Sequence, residues 1–144
     1  MTLDNTVKLQ LSVVVPVFNE AENIAPLVHE IVAALRGLIP FEIIYIDDCS
    51  KDTSREVLKQ LQLVTAELRA FGHTKQSGQS TAIRNGVKLA QGEWIATLDG
   101  DGQNDPADIP ALLALLDAAD MVVGIRAGRR DSWLRRAMSK FANA

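Results

Sequence analysis

Short continuous apolar runs alternate along the chain with segments whose apolar residues recur at helical spacing. Leu11–Val17 and Phe41–Asp47 are rich in β-branched residues, as is typical of strands buried on both faces of a parallel sheet. Similar runs at residues 93–98 and 120–124 predict two more strands. A shorter run at 68–71 predicts a fifth.

Helical patterns fill the intervals between these strands. An apolar stripe crosses residues 24–35, with Asn19 as the predicted N-cap. Another crosses residues 109–116, with Asp105 as N-cap and Pro106 at the first helical position. Weaker patterns predict two further helices, over residues 53–67 and 79–90. The alternation predicts an α/β fold with a mostly parallel sheet and helices on both faces.

Composition narrows the class of protein. With 144 residues, 47% of them hydrophobic and 23% charged, the chain is expected to form one globular domain. Its net charge of -3 argues against a nucleic-acid partner bound through bulk charge. The single cysteine, Cys49, permits no internal disulfide, and the sequence has neither an export signal nor an apolar run that could span a bilayer. We therefore expect a cytoplasmic protein.

Acidic and amide side chains follow the predicted strands. Counted in chain order, the first predicted strand ends in "PVFNE" and the second in "DDCSKD". The fourth, at residues 93–98, ends in "DGDGQ", and the fifth, at residues 120–124, ends in "GIR". In open α/β sheets, ligands bind beyond the carboxyl ends of the strands, so Asp48, Asp99 and Asp101 are expected to gather at one edge. Their mutual repulsion favours binding of a cation. Oxygen ligands suit Mg²⁺ or Mn²⁺, with coordination positions left for the oxygens of a diphosphate.

Other readings of the acidic turn fit less well. A single Asp-Gly turn after a strand more often has only a structural role, but acidic residues after two of the strands make a functional site the better interpretation. A calcium loop is excluded because Asn104 replaces its sixth-position glycine and Pro110 its twelfth-position glutamate. A dinucleotide fingerprint is excluded because Asp105 occupies the place of its third glycine.

Four isolated polar residues receive structural interpretations. Asp52 is predicted to cap a helix, and Cys49 to be a small packing residue because no base accompanies it. His29 lies within the first predicted helix and His73 near the end of a strand. Neither histidine is expected to take part in catalysis.

Four stretches carry a family resemblance that spans nearly the whole chain. They are "VVVPVFNEAENI", "IIYIDDCSKDTS", "KQSGQSTAIRNGVKLAQGEWIATLDGDGQNDP" and "MVVGIRAGRRDSWLRRAMSKFANA". Together and in this order they resemble the N-terminal part of a family 2 glycosyltransferase of the GT-A fold, similar to the dolichyl- and polyprenyl-phosphate sugar transferases. The resemblance implies a Rossmann-like nucleotide-diphospho-sugar transferase fold.

The resemblance also implies a role for each matching residue. Three groups follow: nucleotide binding by Pro16, Phe18, Glu20, Asp48 and Asp99; metal binding by Asp99, Asp101 and Gln103; and catalysis by Asp99, Asp101 and Arg126. A divalent metal, Mg²⁺ or Mn²⁺, would assist departure of the nucleoside diphosphate from a UDP- or GDP-sugar, with inversion at the sugar. The chain departs from the family in having Phe18 where tyrosine is common and Cys49 where glycine or a small polar residue is common.

The C-terminal residues differ in character from the rest. Residues 1–126 are expected to form the nucleotide-sugar-binding domain, and residues 127–144 a basic amphipathic segment that begins a missing acceptor-binding portion. From residue 126 to residue 140 there are six cations and one acid. Its apolar stripe predicts packing against the domain or against the missing portion, and its cations predict contact with an anionic membrane at the cytoplasmic face and a lipid-phosphate or glycan acceptor; the two roles are not exclusive. Because relatives continue further, we expect a truncated chain that is inactive or slow alone.

Two rival classes remain. A non-catalytic nucleotide-sugar-binding domain would contain the same donor motifs. A phospho-receiver domain would place its acidic pair after the first strand and a lysine after the fifth, whereas here the pair follows the second strand and Arg126 the fifth. The order of the motifs therefore favours the transferase.

Overall fold

The computed structural model describes residues 7–125. In chain order the elements are β1 (Leu11–Val17), α1 (Ala21–Leu35), β2 (Phe41–Asp47), α2 (Ser54–Val64), β3 (Leu68–Gly72), α3 (Gln79–Leu89), β4 (Trp94–Thr97), a 3₁₀ turn (Pro106–Asp108) and α4 (Ile109–Ala114). None of the helices in this range has the length and apolar composition needed to cross a bilayer.

The strands form one parallel sheet in the order β3-β2-β1-β4. Leu11 of β1 pairs with Phe41 of β2 and with Trp94 of β4, so β1 lies between both neighbours. Because all strands run in the same direction, the loops after β1, β2 and β4 emerge at one edge. The α/β class and the parallel sheet are confirmed.

Helices cover both faces of the sheet. On one face, alternate β1 residues such as Val13 and Val15 pack with buried side chains of α1 and α2. On the other face, Val14 of β1 and Ile44 and Ile46 of β2 pack against Ala82 of α3. Side chains on both faces of β1 and β2 are buried, which explains why their sequences are mostly apolar rather than alternating.

The strand predictions are confirmed with one exception. β1 and β2 have the predicted bounds, β3 is one residue longer and β4 one residue shorter at each end. The strand predicted at residues 120–124 is wrong, because residues 121–125 have no regular structure and make no ladder with the four strands. Met121, Val123 and Ile125 are exposed, and Gly124 lies near Leu112 of α4 rather than beside β4. The apolar composition of this segment suits a strand, but a strand forms only where another strand provides hydrogen-bond partners for its backbone.

The predicted helix starts were partly correct. Asp105 does cap its helix, because its Oδ1 accepts from the backbone N–H of Ala107 at 3.0 Å. That helix begins as the 3₁₀ turn, and α4 ends at Ala114. Asn19 as the N-cap of α1 was wrong. Glu20 occupies that position without a side-chain cap, and Asn19 adopts a left-handed φ of 52°.

A buried carboxylate fastens the opposite end of the sheet. Glu42 of β2 accepts hydrogen bonds from Ser12 Oγ at 2.6 Å, the Gln91 N–H at 2.7 Å and Arg69 at 2.7 Å. Burial opposes ionisation of Glu42, but these hydrogen bonds and the Arg69 charge outweigh it and lower its pKa. The cluster joins β1, β2, β3 and the turn that leads into β4.

Candidate functional site

A cavity of about 400 Å³ opens at the carboxyl edge of the sheet. It lies among the loops after β1, β2 and β4 and the start of α3. Six predicted site residues line it together: Pro16, Phe18, Glu20, Asp48, Asp99 and Asp101. Gln103 is not part of the lining, and Arg126 lies outside the described residues. Motifs more than eighty residues apart in sequence therefore meet in one cavity.

Reciprocal hydrogen bonds join the loops after β1 and β2. Asn19 Oδ1 accepts from the Lys51 N–H at 2.8 Å, and the Asn19 N–H donates to Ser50 Oγ at 2.9 Å. In return, Asp52 Oδ2 accepts from the Ala21 N–H, the first of α1, at 3.2 Å, while its Oδ1 accepts from the first N–H of α2 at 2.9 Å. Thr53 occupies the N-cap position of α2, so Asp52 is not its N-cap residue, although the Asp52 side chain accepts from the first N–H of that helix. Asn19 joins the two loops, because its hydrogen-bond partners lie in the loop after β2.

Asp48 is buried and holds the segment that precedes α3. Its Oδ1 accepts from His73 Nδ1 and from the Ser77 N–H, both at 2.7 Å, and its Oδ2 accepts from the Gly78 N–H at 2.8 Å. Burial opposes ionisation, but these hydrogen bonds outweigh it and lower the pKa of Asp48. The carboxylate therefore stays charged near neutral pH, with three of its roughly four acceptor positions in use.

His73 does not line this cavity but contacts Asp48, a contact that the sequence reasoning missed. Its ring lies between Asp48 and Asn85, whose Nδ2 is 2.8 Å from His73 Nε2. Both contacts are satisfied when Asn85 donates to Nε2 and the Nδ1 proton is donated to Asp48. The one signal in the sequence was the position of His73 just after a predicted strand, at the same edge as Asp48.

The acidic pair after β4 is exposed beside a closely packed glycine. Gly100 is buried against the Pro16 carbonyl oxygen, where an added Cβ would lie 2.7 Å away, so a side chain there would push the loop from β1. Asp101 Oδ1 accepts from the Gln103 N–H at 3.0 Å. Asp99 Oδ1 accepts from Gln79 Nε2 at 3.0 Å. Gln79 was missed as a site residue.

The donor set is compatible with a hard divalent cation. Among residues 7–125, no cluster of three or more His, Cys, Asp or Glu side chains is arranged to hold a metal. The cavity instead presents the exposed carboxylates of Asp99 and Asp101. Mg²⁺ keeps several positions for water or phosphate oxygens and uses one or two protein carboxylates, which is the chemistry this pair offers.

Cys49 has a backbone conformation that accounts for its sequence context. Its φ of 62° lies in the left-handed region that favours glycine, the residue common at this position in the family that the sequence resembles. Its Sγ lies 3.7 Å from the Thr74 carbonyl oxygen. The thiol thus contacts the segment that Asp48 anchors, in agreement with a packing role.

A second cavity, of about 580 Å³, lies between α2 and β3. Arg55 and Lys59 contribute cations to its wall. Asp47 Oδ2 also faces this region, buried and without a hydrogen bond, 3.5 Å from Arg55 Nε. None of the predicted site residues that the structure describes lines this cavity.

Comparison with known sequences decides the family. The sequence matches the glycosyl transferase family 2 profile over residues 12–143. The chain belongs to this family. It is 39% identical to a dodecaprenyl-phosphate galacturonate synthase of Rhizobium johnstonii, over 99% of this chain and 44% of that protein. It is 38% identical to an undecaprenyl-phosphate 4-deoxy-4-formamido-L-arabinose transferase of Serratia proteamaculans, over 93% of this chain and 42% of that protein.

Solved structures share the fold of this family 2 chain. A mannosyltransferase from Pyrobaculum calidifontis, in complex with GDP-Man and Mn²⁺, matches with a TM-score of 0.60 at 22% identity, over 67% of this chain and 28% of that one. S. aureus TarS, in complex with UDP-GlcNAc, matches with a TM-score of 0.68 at 22% identity, over 85% of this chain and 37% of that one. The expected glycosyltransferase fold is thereby confirmed. The chain spans less than half the length of the relatives it matches.

Proposed function

We propose that this chain provides the donor-binding part of a transferase that moves a sugar from a nucleoside diphosphate to a polyprenyl phosphate. The observation that carries the proposal is the single cavity lined by both Asp48 and the Asp99–Asp101 pair. A nucleotide-sugar has a base at one end and a diphosphate near the other, and the cavity offers different chemistry for each. Its volume of about 400 Å³ lies in the range of small-molecule sites.

The base and ribose would bind on the β1 and β2 side. Phe18 is half-buried and offers an aromatic surface beside Pro16. Asp48 stays ionised and retains one acceptor position for a base N–H. Glu20 lines the same wall, with its Oε2 held by Asn23 Nδ2 at 2.6 Å, and would serve as the acceptor for a ribose hydroxyl.

The diphosphate would lie against the acidic turn. Asp99 and Asp101, assisted by Gln103, would hold Mg²⁺ or Mn²⁺, which neutralises charge on the leaving diphosphate. Without a cation, two exposed carboxylates would repel the donor. A complex of a structural neighbour with GDP-Man and Mn²⁺ supports this assignment.

The proposed acceptor is a polyprenyl phosphate. The relatives above are named for dodecaprenyl and undecaprenyl phosphates, and the chain matches them over more than nine-tenths of its length. A phosphate oxygen would attack the anomeric carbon as the bond to the diphosphate breaks, which inverts that centre and releases the nucleoside diphosphate. Because a phosphate is largely ionised near neutral pH, this attack has little need of a general base.

Membrane contact is part of the proposal. Arg126 and the basic segment 127–144 would meet the acceptor phosphate and an anionic surface at the cytoplasmic face of the membrane. Arginine suits this role because its planar guanidinium can hold a phosphate through two parallel hydrogen bonds.

Two measurements test the proposal. Calorimetry with UDP and GDP should give an affinity at least roughly tenfold higher in Mn²⁺ than in chelator, and Asp99→Asn should lose this difference while Asp117→Asn, an exposed matched control, retains it. Incubation of a nucleotide-sugar with undecaprenyl phosphate should release the nucleoside diphosphate and form a glycosylated lipid. Binding without transfer would favour the non-catalytic donor-binding domain, and no binding would refute the proposal.

A further inference from the structure

Gln79, the first residue of α3, lies between the two ends of the cavity. Its Nε2 donates to Asp99 Oδ1 at 3.0 Å, and the N–H of the preceding Gly78 donates to Asp48 Oδ2 at 2.8 Å. We propose that Gln79 is a positioning residue that holds the Asp99 carboxylate ready for the metal and diphosphate of the donor. The inference rests on the proposed function and adds a residue to which neither the family motifs nor the names of the relatives assign a role.

The backbone of Gln79 is fixed from both sides. On the N-terminal side, Gly78 has a φ of 95°, a conformation that L side chains rarely adopt, and Asp48 holds its N–H. On the C-terminal side, α3 is anchored by the buried Ala82 and by Gly86, which packs on Val14 so closely that a Cβ would not fit. The Gln79 amide therefore extends toward Asp99 from a backbone that both neighbours constrain.

The hydrogen bond restricts a carboxylate that is otherwise free to turn. Asp99 is exposed, and the terminal torsion of an aspartate is broad. A donor on Oδ1 fixes that torsion and leaves Oδ2 available for a cation. Fixing the torsion before binding reduces the entropy lost when the cation is bound. A neutral amide does this without the repulsion that a lysine or arginine would exert on the metal.

The arrangement also connects the base end of the cavity with the diphosphate end. Asp48 holds the Ser77 and Gly78 N–H groups, and the next side chain along the chain contacts Asp99. A displacement of this segment would therefore disturb both carboxylates. The substitution that isolates the second contact changes only the Gln79 side chain and leaves the Gly78 N–H in place.

The experiment compares Gln79→Leu with Gln60→Leu, the same substitution on the exposed face of α2 away from the cavity. Binding of UDP and of GDP is measured by calorimetry in saturating Mn²⁺ and in EDTA, and Mn²⁺ is then titrated at fixed nucleotide concentration. Gln79→Leu should weaken binding in Mn²⁺ by about fivefold, as expected for one lost hydrogen bond. It should raise the Mn²⁺ concentration at half-saturation and leave the EDTA affinity and Tm unchanged. Gln60→Leu should match the wild type throughout.

Two results would overturn the inference. One is wild-type affinity and Mn²⁺ dependence in Gln79→Leu. The other is an equal loss in Mn²⁺ and in EDTA, which would mean that the substitution displaces the start of α3 rather than releasing Asp99. A wild-type chain that binds neither nucleotide would refute the proposed function itself, so the two failures are distinguishable.

Discussion

Replacing Asp48 with alanine should destabilise the protein as well as weaken nucleotide binding. The substitution removes the acceptor of three hydrogen bonds, from His73 and from the Ser77 and Gly78 N–H groups. A hydrogen bond to a charged group contributes about 1.5 to 3 kcal/mol. Ser77 and Gly78 are exposed and His73 is partly exposed, so water replaces part of each interaction and about 1 kcal/mol per bond is a better value. The total is a loss of about 3 kcal/mol.

The assay is thermal unfolding followed by circular dichroism. For a chain of this length, about 3 kcal/mol corresponds to a fall in Tm of roughly 10 °C. Asp48→Asn should fall about half as far, because the amide keeps one acceptor oxygen but turns a donor toward one of the three N–H groups. Asp117→Ala, an exposed control, should leave Tm unchanged. A Tm for Asp48→Ala within about 2 °C of the wild type would refute the reasoning.

The pH dependence gives an independent check. Hydrogen bonds hold the pKa of folded Asp48 below its ordinary value of 3.8, despite the opposing effect of burial. The unfolded chain therefore takes up a proton at higher pH than the folded chain does. The contribution of the Asp48 charge is complete above the ordinary value and is lost as the pH falls through the folded-state pKa. The difference in Tm between wild type and Asp48→Ala should be constant near neutral pH and narrow only below about pH 4.

Three further predictions follow from other features. Asp48 has one acceptor position left, and uracil offers one ring N–H where guanine offers two adjacent donors. UDP should therefore bind more tightly than GDP in competition calorimetry, and tighter binding of GDP would contradict this prediction. Glu42→Gln should lower the free energy of unfolding by about 2 kcal/mol in urea titration, because the new NH₂ group faces one of its donors, and unchanged stability would contradict it. In liposome sedimentation the chain should bind anionic but not neutral vesicles, and binding should be lost when Arg129, Arg130, Arg135 and Arg136 become Gln; equal binding to both vesicle types would leave only a packing role.

The parts of the fold that the sequence predicted well depend on burial. β1 and β2 are buried on both faces, so most of their residues are apolar, and the apolar runs begin and end with the strands. The pattern at residues 120–124 failed because apolar composition reports that a segment can be buried but does not identify the strand beside it. A ladder partner is a long-range property, and none of the described strands supplies one.

The site was predictable where chemistry follows the ends of strands. Because parallel strands bring their carboxyl ends together, Asp48, Asp99 and Asp101 could be placed in one cavity without coordinates. The roles of His73 and Gln79 could not be predicted, because they depend on contacts 25 and 20 residues away in sequence. Asn19 illustrates the same limit, since a local capping rule predicted a helix cap and a partner 32 residues away captured the side chain instead.

The reciprocal bonds between the loops after β1 and β2 have a consequence for protein engineering. Each loop supplies the side chain that satisfies backbone N–H groups of the other, through Asn19 on one side and Asp52 on the other. A chimera that receives only one of the two loops from another family member would leave some of these N–H groups without partners. The two loops should therefore be exchanged together, and a chimera designed to change the preference for a nucleotide-sugar donor should take both loops from the same family member.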